Sequence, residues 1–383
     1  MKMLLMIIVL LFTMPAYAAP PLIIGVTQGF SGKYAEMSAM QIKSLRLWEE
    51  DINARGGMLG RKVNLIIYDD KGDPQVARQL YQQLINRDHV DLLLAPYSSE
   101  LTEAVADITE KNRYPLITSG ASADHIWQKG HQYIFGLYTV ASRYAVGFLE
   151  MAVRHNLNDI AIISSNDNFS QSVARGASQW SERFGIKIST YLEFEKGTKD
   201  FAGIIRQIRS KGAKAVMVCG HFDEAVAVRT AIRKSGWQPH AYYASVGPVL
   251  SSYQSNLGRI SELTFTTSQW EPSRKIPGAE KFYNSFRKTY KTAPSYQAAN
   301  AYAACQVLEK AIRKSNSFDR VKIRDTLSSM STTSIIGMYG VDRHGRQSRH
   351  LSMIIQWQNG KKEIVWPAAY RTARPIFQGG AAK

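Results

Sequence analysis

Short apolar runs alternate with longer segments of mixed polarity along most of the chain. In the longer segments apolar residues recur every three or four positions, as Leu45, Trp48 and Ile52 do, and this spacing is typical of amphipathic helices. The short runs are nearly continuous, which indicates strands buried on both faces. The predicted strands are 22–26, 63–68, 90–95, 115–118, 160–164, 186–194, 215–219 and 241–244.

Strands separated by helices predict βαβ units and parallel sheets, so the predicted fold class is α/β. One open sheet would need too many strands, and we therefore expect two similar halves, with the first break near 135–141. The C-terminal part has a different pattern of three helical segments followed by two strand-like runs. These segments are 278–290, 295–314, 319–329, 334–341 and 350–358.

The first 18 residues have the pattern of a cleaved secretory signal. Lys2 supplies a positive start, residues 3–14 are almost entirely apolar, and Ala16 and Ala18 form a small-residue cleavage pattern. An apolar stretch of this length is too short to span a bilayer comfortably, since a helix needs about 20 residues. We therefore expect cleavage after Ala18 and, in a bacterium, export to the periplasm.

The composition is that of a globular protein with an excess of positive charge. Lys and Arg number 48 against 31 Asp and Glu, a formal net charge of +17. The cations are scattered over helical segments without a basic block, which favours solvated helix faces over a nucleic-acid site and leaves weak attraction to anionic ligands or membranes open. The two cysteines, Cys219 and Cys305, exclude a disulfide scaffold and are interpreted as buried thiols, although export would permit a disulfide.

The loops that follow predicted strands carry the candidate chemistry, because ligands of open α/β sheets bind beyond the carboxyl ends of the strands. These loops are rich in serine, small residues and aromatic residues, a composition that suits a small carboxylate with an apolar part. Alternatives remain open: Ser99 as a plain helix cap, His221 as a wall residue, and Phe169 and Phe222 as core. The loops contain Tyr34, 96–99, 119–122, 166–169 and 220–223.

Signals of catalysis are missing from the sequence. It contains no Gly-x-Ser-x-Gly, no Walker loop and no dinucleotide-binding fingerprint. Asp69, Asp70 and Asp73 resemble a metal cluster in composition, but their place between a strand and Pro74 favours a turn and a helix cap. We therefore expect a protein that is not an enzyme and holds no cofactor and no metal.

Two stretches carry a family resemblance. Residues 51–61, Asp-Ile-Asn-Ala-Arg-Gly-Gly-Met-Leu-Gly-Arg, followed by 68–70 and 73–74, resemble the periplasmic leucine/isoleucine/valine-binding protein family of ABC importers. The resemblance implies a type I periplasmic binding protein, with two Rossmann-like lobes, parallel central sheets and a three-strand hinge that closes on a ligand. It places the crossovers near 136–141, 265–270 and 332–337.

The resemblance also implies lobe boundaries, a binding site and partners. The N-terminal lobe would be 19–138 plus 269–334, the C-terminal lobe 139–268 plus 335–370, and 371–383 a tail. The cysteines would then lie in different lobes. The family pattern places a ligand carboxylate against the first lobe and aromatic walls around it. The residues that match are Ser99, Ala121 and Ser122 for the carboxylate, and Tyr34, Phe169, and His221 or Phe222 for the walls.

One departure from the family pattern bears on the ligand. Family members that bind amino acids place a carboxylate against the ligand ammonium in loops that match 244–247 or 140–142, and neither contains Asp or Glu. A desolvated ammonium without a partner is costly. A carboxylate solute without an amine therefore becomes credible, unless Asp167, Asp223 or Glu100 substitutes.

The expected function is capture of a small amino-acid-like or carboxylate solute and its delivery to an ABC permease in the inner membrane. The protein would act as a monomer, without a nucleic-acid partner. The alternative is a periplasmic ligand-sensing module of the same fold that signals to a membrane partner, because fold alone does not fix function.

Overall fold

The first sheet is five-stranded, fully parallel and built from the N-terminal third of the chain. The structure is a computed structural model that describes residues 19–378; the predicted cleavage after Ala18 concerns a segment outside these residues. The strand order is β2-β1-β3-β4-β5. The elements are β1 (Leu22–Gln28), α1 (Ala35–Ala54), β2 (Val63–Asp69), α2 (Pro74–Asn86), β3 (Leu92–Leu94), α3 (Ser99–Lys111), β4 (Leu116–Thr118) and β5 (Ile134–Gly136).

The second sheet begins with the same arrangement of alternating helices and parallel strands. Its elements are α4 (Val146–Arg154), β6 (Asp159–Ser165), α5 (Asn168–Arg183), β7 (Lys187–Phe194), α6 (Ala202–Ser210), β8 (Ala215–Cys219), α7 (Phe222–Lys234), β9 (Ala241–Ala244), α8 (Ser251–Leu257) and β10 (Thr264–Ser268).

The C-terminal part contributes to both halves. It consists of α9 (Ala279–Tyr290), α10 (Tyr296–Ser315), α11 (Arg320–Ser329), β11 (Thr332–Ser334), β12 (Gly337–Tyr339), β13 (Met353–Gln358) and β14 (Lys361–Trp366). Strands β13 and β14 join the second sheet by antiparallel pairing, which gives the order β14-β13-β10-β9-β8-β6-β7. We call the two bodies built on these sheets the first lobe and the second lobe.

The strands are buried on both faces, as their continuous apolar runs predict. In β6, Ile160 and Ile162 pack into one apolar cluster, and Ala161 and Ile163, which point to the opposite face, pack into another. The second cluster is completed by α6 and α7, which cover the outer face of the sheet. Because parallel strands are connected through helices, both faces become covered and alternation of polar residues is not needed.

The helix α10 belongs to the first lobe although it lies late in the chain. It packs along α1. Arg55 forms an ion pair with Glu309 at 3.0 Å, and the Tyr302 hydroxyl donates to Asp51 at 2.5 Å. The first lobe is therefore assembled from two separate parts of the sequence.

The segments that run between the lobes are bonded to one another near Thr139. Its backbone N–H donates to the Gln269 side chain at 3.3 Å, and its hydroxyl donates to the His350 carbonyl at 3.3 Å. The same hydroxyl accepts from the Ser352 backbone N–H at 3.0 Å. The small side chain and backbone of Thr139 thus connect the three segments that cross between the lobes.

The C-terminal strands differ most from the sequence prediction. The predicted strand 334–341 is instead the hairpin of β11 and β12. Residues 345–347 lie beside β5, where the Gly136 backbone N–H donates to the Gly345 carbonyl at 2.7 Å. Strand β14 was not predicted because Lys361, Lys362 and Glu363 interrupt its apolar pattern. The antiparallel pairing of β13 with β10 and of β14 with β13 makes the second sheet mixed rather than parallel as expected.

Two smaller predictions are confirmed. Cys219 and Cys305 are buried free thiols. Asp73 caps α2 by accepting from the backbone N–H groups of Gln75 and Val76, and Asp69 and Asp70 accept backbone N–H groups of the turn. No helix within 19–378 is long and apolar enough to cross a membrane.

The close approach of α5 to the first crossover requires a glycine. A Cβ at Gly176 would lie 2.2 Å from the Ser142 carbonyl oxygen, which is backbone and has little freedom to move. We expect Gly176→Ala to lower the free energy of unfolding by about 1–3 kcal/mol, as overpacking does. Urea denaturation measures the change.

Gly203→Ala is the matched control, since it is the same substitution in α6 and the nearest atom to its new Cβ would be 3.9 Å away. We expect this control to be neutral or slightly stabilising, because alanine favours helix over glycine. Equal effects of the two substitutions would contradict the packing argument.

Candidate functional site

The two lobes face each other across a cleft at the carboxyl ends of their parallel strands. In the first sheet β1 lies between β2 and β3, and in the second sheet β6 lies between β7 and β8. The helices that follow neighbouring strands there leave on opposite faces of the sheet and open a gap between them. Such a topological switch point is where open α/β sheets bind ligands. The residues lining the cleft are Tyr34, Tyr97, Ser98, Ser99, Glu100, Gly120, Ser122, Tyr138, Tyr144, Asp167, Phe169, His221, Val246 and Tyr296.

Ser99 joins two first-lobe loops. Its hydroxyl oxygen accepts from the backbone N–H groups of Ser122 and Ala123, both at 3.1 Å. In the described part of the chain no acceptor takes its own proton, so the hydroxyl can donate into the cleft. The helix cap is Ser98 rather than Ser99: the Ser98 hydroxyl accepts from the backbone N–H of Leu101 at 3.2 Å.

The two first-lobe loops touch so closely that position 120 has no room for a side chain. A Cβ at Gly120 would lie 2.6 Å from the Tyr97 ring and 2.9 Å from its Cα. Ser98 has a φ of 96°, a strained value for a residue other than glycine. This turn directs the start of α3 into the cleft.

Asp167 and His221 form the charged part of the second-lobe wall. Asp167 caps α5 and accepts from the Ser170 backbone N–H at 3.0 Å and from the Ser170 hydroxyl at 2.7 Å. His221 Nε2 lies 3.4 Å from Asp167 Oδ1, an ion-pair contact rather than a well-formed hydrogen bond. Burial alone would raise the pKa of Asp167, but His221 and Ser170 outweigh it and hold that pKa well below its usual range.

The contact between Asp167 and His221 also shifts the pKa of the histidine, in the opposite direction. Burial alone would lower the pKa of His221, but the charge of Asp167 outweighs it and raises that pKa above the ordinary value. The ring is therefore biased towards the protonated form.

Three helices begin at the cleft. Ser99 and Glu100 open α3, Phe169 is the second residue of α5, and His221 precedes α7. The N-terminus of a helix carries free N–H groups and partial positive charge. Their convergence makes the cleft favourable for an anion.

Aromatic rings enclose the remaining space from both lobes. Tyr34 makes edge contacts with Tyr97 of its own lobe and with His221 of the other, each with ring centroids 5.7 Å apart. Phe169 contacts Tyr144 at 5.6 Å and His221 at 5.4 Å. The cavity they leave is about 20 Å³, roughly the room of one water molecule. A larger ligand therefore requires the lobes to part or a ring to turn.

Glu100 connects the lobes at the rim of the cleft. It accepts from Lys33 of the first lobe at 2.6 Å and from Lys196, which follows β7 of the second lobe, at 3.0 Å. The Tyr34 hydroxyl also donates to it, at 3.2 Å. Burial would raise the pKa of Glu100, but the two lysines outweigh it and lower that pKa, while burial lowers the pKa of Lys33 to about 8.

A second contact between the lobes lies on the next turn of α3. Asn168, which starts α5, donates to Glu103 at 3.0 Å. Glu103 also contacts His125 at 2.6 Å and Lys129 at 2.8 Å. The hydrogen bond with His125 lowers the pKa of Glu103 to about 2, with Lys129 adding to the effect.

The cleft brings together five of the seven predicted site residues: Tyr34, Ser99, Ser122, Phe169 and His221. The other two are not among its lining residues. Ala121 is buried in the core between the two lining residues Gly120 and Ser122. Phe222 starts α7 and packs against the two apolar clusters instead.

Of the three acids considered as substitutes for the missing family carboxylate, Asp167 and Glu100 line the cleft, whereas Asp223 is exposed on α7. Residues Tyr138, Tyr144 and Tyr296 were missed. They come from the first crossover and from the start of α10, and no local pattern marks them; only the assembled fold brings them to the cleft.

Comparison with known proteins gives a consistent result. Residues 21–362 match the family described as periplasmic binding protein. The Leu/Ile/Val-binding protein homolog 7 of Brucella abortus is 24% identical over 375 residues, covering 92% of this chain and 93% of that protein.

Two solved structures extend the comparison of the fold. The substrate-binding protein LivJ of Streptococcus pneumoniae, solved with isoleucine, has a TM-score of 0.82 at 20% identity, covering 91% of this chain and all of that one. A solute-binding protein of an ABC transporter from Rhodopseudomonas palustris, solved with 3,4-dihydroxybenzoic acid, has a TM-score of 0.79 at 16% identity, covering 89% and 95%.

The contact between Lys196 and Glu100 yields a prediction about the link between lobes. Their side chains are about one-third exposed, at 35% and 34%, so the pair should contribute modestly, about 0.2–1 kcal/mol. We expect a double-mutant cycle of Lys196→Met and Glu100→Gln to give a coupling energy in this range that disappears in concentrated salt. Urea denaturation of the four proteins measures it.

Lys199→Met is the control, because Lys199 is exposed, lies three residues further along and forms no ion pair within 19–378. If the double-mutant cycle of Lys199→Met and Glu100→Gln gave the same coupling energy, the coupling of Lys196 to Glu100 would not be due to their direct contact.

Glu103 yields a prediction about acid stability. Its pKa is about 2 in the folded protein against 4.5 ordinarily, so the unfolded chain takes up this proton first as the pH falls. The stabilisation is complete above pH 4.5 and is lost between 4.5 and 2. We expect Glu103→Gln to lower stability at neutral pH and to flatten its fall over that window.

Denaturation series from neutral pH to pH 3 measure this slope. Glu280→Gln, which removes an exposed carboxylate without hydrogen-bond partners in the described chain, should leave the slope unchanged. An unchanged slope in Glu103→Gln would show that the contact with His125 has no energetic effect.

Proposed function

The chain belongs to the periplasmic binding protein family, and we propose that it is the substrate-binding protein of an ABC importer. It captures a small carboxylate solute in the cleft and delivers it to a permease in the inner membrane. The family consists of solute-binding proteins rather than enzymes. The observation that carries the proposal is the meeting of two switch points, one from each lobe, across one aromatic cleft.

The cleft suits capture by closure. A ligand that contacts both lobes stabilises the closed arrangement over the open one by its differential affinity. Ser99 and the loop 120–122 supply donors from the first lobe, and Phe169 and His221 supply walls from the second. Contacts from one lobe alone would bind a ligand without favouring closure.

The charges of the cleft favour a carboxylate without an amine. Glu100 already accepts from Lys33 and Lys196, and Asp167 already faces His221. Lys33 and Lys196 balance the charges of Glu100 and Asp167, and the Glu224 carboxylate, which accepts from the His221 backbone N–H at 3.1 Å, lies beside the histidine. No carboxylate that lines the cleft therefore lacks a cation beside it. A ligand ammonium would therefore compete with cations that the protein itself supplies, whereas a carboxylate would meet three helix N-termini. The relatives allow either ligand: one was solved with isoleucine and another with 3,4-dihydroxybenzoic acid.

We further propose that the mature protein begins after Ala18 and works in the periplasm as a monomer. For the lobes we propose the boundaries 19–138 plus 269–347 and 139–268 plus 348–370. These boundaries put the third crossover at about 348–352 rather than at 332–337. The reason is that Gly345 and Gln347 form hydrogen bonds with residues at the end of β5 in the first lobe.

A thermal-shift screen of the mature protein tests the ligand. The panel pairs each amino acid with its amine-free analogue: leucine with 4-methylpentanoate, phenylalanine with 3-phenylpropanoate, and benzoate alone. A ligand at about 100 times its Kd adds about 2.7 kcal/mol of stability. We expect shifts with the amine-free acids and none with the amino acids.

Two variants refine the same experiment. Ser99→Ala should weaken binding roughly tenfold to hundredfold, because it removes a donor to a charged group. Ser328→Ala, in an exposed part of α11, is the control and should change nothing. Shifts with amino acids alone would overturn the charge argument but keep the binding function. No shift on a folded protein would contradict capture of this class of solute.

A further inference from the structure

The outer face of the second lobe carries a groove unrelated to the cleft. It lies between α6 and α7 and has a volume of about 540 Å³. Its floor contains apolar side chains, including Phe201, Ile205 and Ala231. Four cations lie around it: Lys199, Arg206, Arg209 and Lys234.

Three of these cations make no side-chain hydrogen bond within 19–378, and the fourth, Arg209, donates to the Ser235 carbonyl at 3.5 Å. All four are exposed, and none forms an ion pair with any carboxylate in 19–378. Lys211, directly after α6, and Arg233 of α7 are exposed as well and form no ion pair with the described residues. The groove itself contains one carboxylate, Asp200, which accepts from the Ala202 backbone N–H at 2.9 Å.

The positive surface continues on the other side of α7. A second groove of about 310 Å³ is lined by Arg229, Arg233, Arg259 and Trp237, among others. The Arg229 guanidinium is already used, since it donates to the carbonyls of Ile260 and Glu262 at 2.8 and 2.9 Å. Arg233 and Arg259 are exposed and extend the cationic surface.

We propose that this α6–α7 surface docks the protein on anionic phospholipid headgroups of the membrane that holds the permease. The proposal rests on the proposed function for its location. Phosphate groups need only donors, which the surface has in excess, and arginine binds them in a bidentate manner. Among the residues that line the two grooves, the carboxylates are Asp200 and Glu262, and both already accept backbone N–H groups, so a protein partner with mixed charge would find little to bind its own cations.

Docking of this kind would concentrate the protein at the surface where the solute is released. Each cation near an anionic membrane contributes about a fivefold gain in partition, and the attraction falls off within a Debye length. Six such cations on or beside two neighbouring helices therefore give a salt-sensitive, reversible contact.

Sedimentation with vesicles tests the proposal. The full-length mature protein is mixed with vesicles of phosphatidylcholine alone or of equal parts phosphatidylcholine and phosphatidylglycerol. We expect binding to the anionic vesicles only, and its loss in concentrated salt. Arg206→Gln, Arg209→Gln and Lys234→Gln together should weaken it by roughly a hundredfold.

The matched control removes the same charge elsewhere. Arg287→Gln, Lys288→Gln and Lys291→Gln lie at the exposed end of α9 in the first lobe. This triple variant should weaken vesicle binding by no more than about threefold. Equal losses in the two triple variants would overturn the proposal, since net charge alone would then explain the binding. Failure of the wild-type protein to bind anionic vesicles would overturn it as well.

Two further measurements keep the result interpretable. The first is direct titration with soluble polyglutamate in the absence of vesicles: tighter binding to polyglutamate than to anionic vesicles of equal charge would assign the surface to an acidic protein partner and would overturn the proposal. The thermal shift with the cleft ligand should be the same in both triple variants. Because that shift is measured without vesicles, failure of docking and failure of ligand binding are seen separately.

Discussion

The site depends on one constraint of parallel sheets. All carboxyl ends of parallel strands meet at one edge, and where the winding reverses, two neighbouring helices leave on opposite faces and open a gap. Both lobes have this reversal beside their first strand, at β1 and at β6. The crossing segments tied at Thr139 hold the two gaps opposite each other. Tyr34 and Ser99 on one side thereby meet Phe169 and His221 on the other.

The charge pattern of the cleft follows from the cost of burial. A carboxylate removed from water needs hydrogen bonds or a cation, and both acids at the cleft have them before any ligand enters. Asp167 is satisfied by Ser170 and His221, and Glu100 by Lys33 and Lys196. The Ser99 hydroxyl keeps a proton to donate, and the three helix N-termini add partial positive charge. Electrostatically, the site is thus prepared for an anion.

Cleft residues could be predicted from the sequence where a local pattern marks them. They could not be predicted where only the folding of distant segments brings them to the cleft. Ser99, Ser122 and Phe169 were predictable because each follows a strand that its apolar run reveals. Tyr144 and Tyr296 were not, since a crossover and a late helix bring them to the cleft from segments with no strand before them. Strand β14 escaped prediction because its charged first half hides its pairing with β13.

The contacts that join the lobes at the rim are partly exposed, so each is expected to contribute little to closure. The ion pair of Lys196 and Glu100 is partly exposed, and exposed ion pairs typically contribute about 0.2–1 kcal/mol. The other contact is a single hydrogen bond from Asn168 to Glu103. Stronger contacts would keep the lobes closed whether or not a ligand was present. A ligand shifts the equilibrium only by its differential affinity for the closed state, so a closed state that is nearly balanced against the open one lets the ligand decide.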